Sequence, residues 1–517
     1  MRATLRLLVL AWLGFGSCVW AADQSFRIQV VDEATGRGVP LVELRTVHDI
    51  RYVTDSHGVV AFDEPGLMNR SVFFFVQSHG YEFPKDGFGF AGKALDVQPG
   101  GTATLKIRRI NIAQRLYRIT GAGIYRDTLL TGGQTPLQEP HLNGSVLGSD
   151  SVQEAVFAGK LYWFWGDTNR PRYPLGNFDV PGATSELPAA GGLDPDVGIN
   201  LNYFLDQEGF ARPTMKMPGS GPTWLDGLVV LRDHEGQERM FGWFQKIRPP
   251  LEVYQNGLAE FDLATSSFKK VAEFPRPANL YPTGHTLVHR DANTTFVYFC
   301  HPFPLIRVPA DPERLSDLST YEAYTCLQAG SDLRNPQFDR DANGRLQYSW
   351  KPNTAVVGPA EEKKLLASGK LRADELRFQL IDHASGKPVL AHHGSINWNE
   401  YRRKWVMITV EIGGTKSHLG EVWYAESAEL LGPWRHAVKV VTHDKYSFYN
   451  PRQHPMFDQN GGRTIFFEGT YTQSFSGNTD KTPRYEYNQI MYRLDLDDPR
   501  LKLPQASESS TNAPAVP

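Results

Sequence analysis

From about Leu147 onward the chain repeats one all-strand pattern about five times, and few folds accept such a repeat. Each unit holds a short polar-ended strand, a heavily apolar strand and a third strand that alternates. The units read VLGSDSVQEAVFAG, KLYWFWGDT and GINLNYFLD; WLDGLVVLRDHEG, RMFGWFQKI and NGLAEFDLAT; GHTLVHRDAN, TTFVYFCHP and STYEAYTCL; GSINWNEYR, KWVMITVEIGG and LGEVWYAES; RQHPMFDQNG, RTIFFEGTYT and NQIMYRLDL. The turns DHEG, DANT, NEYRRK and DQNGG separate first strands from second strands. The predicted fold is all-β: an N-terminal β-sandwich followed by a five-bladed β-propeller over 146–500, with an insertion at about 330–388.

A propeller accounts for LYWFWGDT, Leu161 to Thr168. The second strand of a blade is covered by the blades on either side, so both of its faces are dry and it reads as a continuous apolar run. By the period of two, Leu161, Trp163, Trp165 and Asp167 share a face, with Asp167 at the exit.

Residues 24–108 alternate short apolar runs with Gly, Asp and Pro turns, which predicts the sandwich. VVDEATGRGVPLVELRT followed by TDSHGVVAF resembles transthyretin-like and carboxypeptidase-regulatory-like modules, a likeness that implies a domain positioning its neighbour. GFGFAG, Gly87 to Gly92, spells a dinucleotide fingerprint but lacks the strand-turn-helix setting that the chemistry needs. Residues 109–145 read as linker and propeller entry, Pro359 to Leu371 as the one convincing helix, and 501–517 as a disordered tail.

Residues 1–21 carry Arg2 and Arg6 before an apolar core and Val19-Trp20-Ala21, which reads as a signal peptide cleaved after Ala21. Lipidation at Cys18 is the competing reading. No later apolar run is long enough for a transmembrane segment, so a secreted or periplasmic mature chain is expected. With 54 basic and 57 acidic side chains there is no basic surplus to attract nucleic acid. In an exported chain Cys300 and Cys326 are allowed to bond or to remain buried thiols.

The repeat alignment also predicts a site, because equivalent strand ends of different blades meet around one axis. Asp167, Lys246, His301, Glu411 and Glu468 are placed at exits of second strands; Asp150, Asp226, His285, Asn397 and His454 on innermost strands. Several carboxylates facing one pocket suit glycoside hydrolysis, in which one acid protonates the leaving oxygen and a second carboxylate activates water or attacks carbon.

GSDSVQEAVFAGKLYWFWGDTN resembles the first blade of five-bladed propeller glycosidases, the endo-D-arabinanase-like propellers above all, and LGEVWYAESAELLGPW resembles blade text of glycoside hydrolase family 43. The likeness implies a carbohydrate-active enzyme with Asp150 and Asp167 as its carboxylates. Family 43 takes its general acid from a third-blade Glu. GHTLVHRDANTTFVYFCHPF has none, and His285 or His301 stands there instead. The acid then comes from Asp167, Glu411 or Glu468.

The catalytic candidates are therefore Asp150, Asp167, Glu411 and Glu468, and the substrate-binding candidates Asp226, His285, His301, Trp224, Asn397, Trp398 and His454. His285, His301, His392, His393 and His454 lack the spacing of a known metal motif. No cofactor is required by this reading; a structural calcium ion in the axial channel is left open. There is no GxSxG elbow, phosphate loop or CxxC pair. The expected partner is a polysaccharide or oligosaccharide. Two other readings stay in view: a non-catalytic propeller binding glycan or protein, and a polysaccharide lyase built on His285, His454 and Tyr471.

Overall fold

The computed structural model describes residues 24–504, so the signal-peptide reading of 1–21 and most of the predicted tail lie outside the described residues. Leu501, at the start of that tail, is buried against the last propeller sheet. Among the described residues no helix is long and apolar enough to cross a membrane.

Residues 26–109 form two four-stranded sheets packed face to face around Ile28, Val30, Leu44, Phe74 and Ile107. The first strand, Phe26–Asp32, runs parallel to Thr102–Arg109 and antiparallel to Val59–Phe62. The stretch Gly87 to Gly92 is a turn leading into a strand, with Phe88 exposed.

The remainder is built from six sheets: a small one of Gly148–Ser149, Thr168–Arg170 and Tyr173–Asn177, and five whose first strands follow one another around an axis, Val152–Phe157, Thr223–Arg232, His285–Asp291, Ala391–Asn399 and Ser447–Gln453. Each first strand pairs antiparallel with the second strand of its own sheet. The ring closes where the Arg452 guanidinium of the last blade donates to Glu154 Oε1 of the first at 2.8 Å. This is a five-bladed propeller.

Strand Lys160–Trp165 shows why the blades cohere. Trp163 and Trp165 stack at 6.3 Å and turn to Phe466 and Met491 of the last blade. Tyr162 and Phe164 turn the other way, onto Phe261 of the second blade. Both faces are dry, which the unbroken apolar run requires.

Several expected elements are corrected. The third strand of the first blade is Gly182–Ser185, not GINLNYFLD, whose Asn202–Tyr203 is the fourth. A hairpin, Thr168–Arg170 with Tyr173–Asn177, intervenes and displaces the register of reading. In the third blade Pro304–Pro309 takes the third place and Glu322–Thr325 the fourth. The last blade begins at Ser447–Gln453, because Pro455 turns RQHPMF into a short 3-10 segment. Its fourth strand is Gln114–Arg118, from the stretch read as linker.

The insertion is not a separate body. Ser349–Pro352 extends the third blade and Leu380–Asp382 the fourth, with helix Pro359–Ala367 between them. Sandwich and propeller share a core in which Leu41, Val53 and Ile112 meet Tyr446, Tyr471 and Tyr485. The Tyr485 hydroxyl donates to Thr54 O at 2.7 Å. Cys300 and Cys326 are separate buried thiols.

Candidate active site

The first strand of each blade starts at the same end of the axis, and that end gathers most of the candidate acids. Ser149 pairs with Thr168 and Val152 with Trp165, so Asp150 and Asp167 come opposite each other between two antiparallel ladders. The Asp150 amide donates to the Asp167 carbonyl at 2.9 Å.

The two carboxylates have unlike surroundings. Asp150 accepts at Oδ1 from Ser151 Oγ at 2.6 Å and from Thr470 Oγ1 at 3.4 Å, and at Oδ2 from the Tyr487 hydroxyl at 2.9 Å. Asp167 Oδ1 is buried with no hydrogen-bond partner. Burial first, and the Asp150 charge second, push the Asp167 carboxyl up to about 7, with Trp224 hydrogen bonding opposing them. Like charges in one half-buried site resist joint ionisation, so Asp167 keeps its proton to a higher pH than a free carboxyl does.

Backbone strain collects at the same place. Ser151, Asn450 and Tyr487 adopt φ of 30°, 50° and 61°, in the left-handed region that side chains disfavour. Asn450 Nδ2 donates to Ser151 Oγ at 2.5 Å, so these residues hold one another and, through Ser151 and Tyr487, hold Asp150.

Asp226 is on the first strand of the second blade, two residues after Trp224 and at an irregularity between Leu225 and Leu228. The Gly284 amide donates to its Oδ1 at 2.7 Å and Gln245 Nε2 to its Oδ2 at 2.9 Å. Burial raises its carboxyl to about 6, with the Gly284 bond opposing. Gly284 has φ of 102°, and a Cβ there would meet the Cys300 carbonyl oxygen at 2.2 Å, so no other residue fits. Among the described residues no Lys or Arg forms an ion pair with Asp150, Asp167 or Asp226.

The other candidates are engaged in contacts of their own. Glu468 is not at a strand exit; it lies inside strand Thr464–Thr472 and is fully buried, with Oε2 3.4 Å from His454 Nε2. His454 is buried between Glu468 and Glu154, whose Oε1 is 3.3 Å from His454 Nδ1. Glu411 does end its strand, but its Oε2 accepts from Trp423 Nε1 at 3.0 Å and its charged neighbours are Lys439, Glu421 and Asp382 of the outer fourth blade.

Asn397 and Trp398 sit at the hairpin end of their strand, away from His392 at its start. There Asn397 Nδ2 donates to Gln453 Oε1 at 3.4 Å and Trp398 packs edge-on against Trp405. His285 is buried with Nδ1 3.2 Å from Gln153 Oε1. Lys246 is buried too, donating to Gly221 O at 2.6 Å. The lyase set does not assemble: Tyr471 is buried and contacts His79 of the sandwich at 3.0 Å, remote in the fold from His285.

Ser151, Thr470, Tyr487 and Asn450 were not among the sequence candidates. Their role follows from the blade closure, which brings the last blade against the first.

No family model matches the chain, and no curated protein sequence matches it. Among solved structures it is similar to an exo-β-1,3-galactanase from Phanerochaete chrysosporium, at 10% identity over 68% of this chain and 61% of that one, with a TM-score of 0.33. It is also similar to an exo-1,5-α-L-arabinanase from a bovine ruminal metagenomic library, at 9% identity over 68% of this chain and 94% of that one, TM-score 0.34. An α-L-arabinofuranosidase from Fusarium graminearum matches at 11% identity over 74% of this chain and 98% of that one, TM-score 0.36. The chain spans 61% of the galactanase it matches. Likeness of this degree assigns no reaction.

Proposed function

We propose that the protein is a glycoside hydrolase that cleaves glycosidic bonds of a polysaccharide or oligosaccharide at the Asp150 end of the propeller axis. The observation that carries this reading is the contrast between two facing acids. Asp150 is cradled by hydroxyl donors, while Asp167 is pushed up to about 7 by burial and by Asp150. A carboxyl that holds its proton to near neutrality beside a second carboxyl held by hydroxyl donors is what acid and base roles need.

In this assignment Asp167 donates a proton to the leaving oxygen and Asp150 serves as base or nucleophile. Asp226 and Trp224 border the sugar, Trp224 offering a ring face for stacking. The protein is exported by its N-terminal leader to meet a glycan outside the cytoplasm. Release of reducing sugar from a panel of plant, algal and bacterial polysaccharides, run beside Asp150→Asn and Asp167→Asn, tests the reading. Release indifferent to both substitutions would sink the assignment.

The second reading is a propeller that binds glycan without cleaving it. A binding mouth pairs its acids with cations, and the absence of Lys or Arg ion pairs at these acids among the described residues favours hydrolysis. Retained glycan binding with no release across the panel would decide for the second reading.

A further inference from the structure

We propose that His301, His392 and His393 form a binding site for a borderline divalent transition metal of the Zn2+ type. One ligand nitrogen from each lies within 4.8 Å of the others. Donors at about 2.0–2.1 Å from a tetrahedral zinc stand about 3.4 Å apart, so ring adjustments of about 1 Å close the set.

The backbone explains how adjacent histidines come to converge. In a regular strand His392 and His393 would point to opposite faces. The pairing of Ala391–Asn399 with Lys404–Glu411 shifts register between Ala391 and Gly394, and both histidines fall in that irregularity. His301 approaches from the third blade, immediately after strand Thr294–Cys300. His393 is held in place, its carbonyl accepting from Thr409 Oγ1 at 2.9 Å.

Packing alone does not account for the trio. The rings meet edge to face, His301 with His393 at 4.0 Å and His392 with His393 at 4.2 Å between centroids, as apolar rings would. An apolar ring, however, has no nitrogen to leave stranded, and His301 Nδ1 is buried without a hydrogen-bond partner. A buried imidazole nitrogen without a partner, in a ring packed against two other imidazoles, belongs to a donor set lacking its acceptor.

Other features agree. The donors are all nitrogen, which selects zinc, copper, nickel or cobalt against calcium and magnesium. A cavity of about 420 Å³, lined by Thr283, His301 and His392, gives an entry path. Three protein ligands leave a position for an exogenous ligand. Gly284 links the trio to Asp226: its amide bonds that carboxylate, and a Cβ on it would lie 3.2 Å from His301 Cβ.

The inference does not rest on the hydrolase reading, and its test reads metal, not sugar. Chelator-treated protein is titrated with Zn2+ alone by calorimetry and with Co2+ alone by visible absorption. The expected result is about one equivalent bound, with the d–d bands of a low-coordinate cobalt ion and a higher Tm. His301→Gln and His393→Ala should each weaken binding about tenfold or more, while His234→Ala, on an exposed turn, should leave it unchanged. Should His393→Ala fail to fold, the half-buried His301→Gln and His392→Asn carry the comparison. No stoichiometric binding, or binding that these substitutions leave intact, would overturn the site.

Discussion

Asp150 and Asp167 face each other across a break between two ladders, joined by a backbone bond of 2.9 Å from the Asp150 amide to the Asp167 carbonyl. Like charges placed opposite each other in a sheet cost stability. Substituting Asn at either position preserves shape and removes the charge. Each of Asp150→Asn and Asp167→Asn should lower kcat/KM for glycan hydrolysis by about a hundredfold to ten-thousandfold. Substrate-panel kinetics check this, with Tm showing that the fold persists.

The acidic form of Asp167 sets a pH dependence. Its folded carboxyl is raised to about 7, by burial and then by Asp150, against about 3.9 in the unfolded chain. A raised value means the folded state binds the proton more tightly, so this stabilisation is complete below about 3.9 and is lost as pH rises through about 7. Activity that needs the protonated acid should fall over the same upper range. Asp167→Asn should therefore raise Tm relative to the parent more at about pH 8 than at about pH 5. Melting curves at both values settle it; an equal effect at both would refute a buried, titrating Asp167.

The buried network that closes the ring predicts a second loss of stability as pH rises. Burial pushes Glu154 up, but Arg452 and His454 more than reverse this and leave it lowered. Burial lowers His454, yet Glu154 and Glu468 carry it to about 9. The folded value exceeds the unfolded value of about 6.5, so this contribution is present below that pH and lost as pH rises through about 9. Glu154→Gln strands Arg452 and leaves His454 with Glu468 alone, and should cost about 3–5 kcal/mol near pH 7. Denaturant unfolding at pH 7 and above pH 9 measures both the loss and its shrinkage with pH.

How much of this could be read from the sequence depended on whether the signal was local. LYWFW declared a strand covered on both faces, and the structure covers it with Phe466 on one side and Phe261 on the other. Asp167 announced itself by ending that run. Gln114–Arg118 gave no comparable sign, since five residues with two arginines resemble a linker until the last blade supplies their partner. Tyr487 lies 337 positions from Asp150, and only ring closure makes them neighbours. His392 and His393 were misleading for a different reason: strand periodicity separates adjacent residues, and the register shift that reunites them depends on tertiary pairing.

That late-joining strand makes the last prediction. Gln114–Arg118 pairs antiparallel with Asn488–Asp495, so residues next to the sandwich complete the blade that residues near 490 begin. Leu116 is fully buried in the cluster that also holds Trp163 and Phe466. Leu116→Ala should therefore cost about 2–5 kcal/mol, as a core cavity does, although the residue sits in a chain segment that looks like a connector. Arg115 points from the same strand into the sandwich, its guanidinium donating to Pro40 O at 3.1 Å and to Ser78 Oγ at 2.5 Å. Arg115→Leu removes those bonds while keeping an apolar stem, and leaves buried sandwich carbonyls unpaired. Calorimetry should show the parent melting in one transition through the shared core and Arg115→Leu melting in two, the sandwich first. A single unshifted transition in Arg115→Leu would mean that the apolar contacts of Leu41, Val53 and Ile112 couple the domains without it.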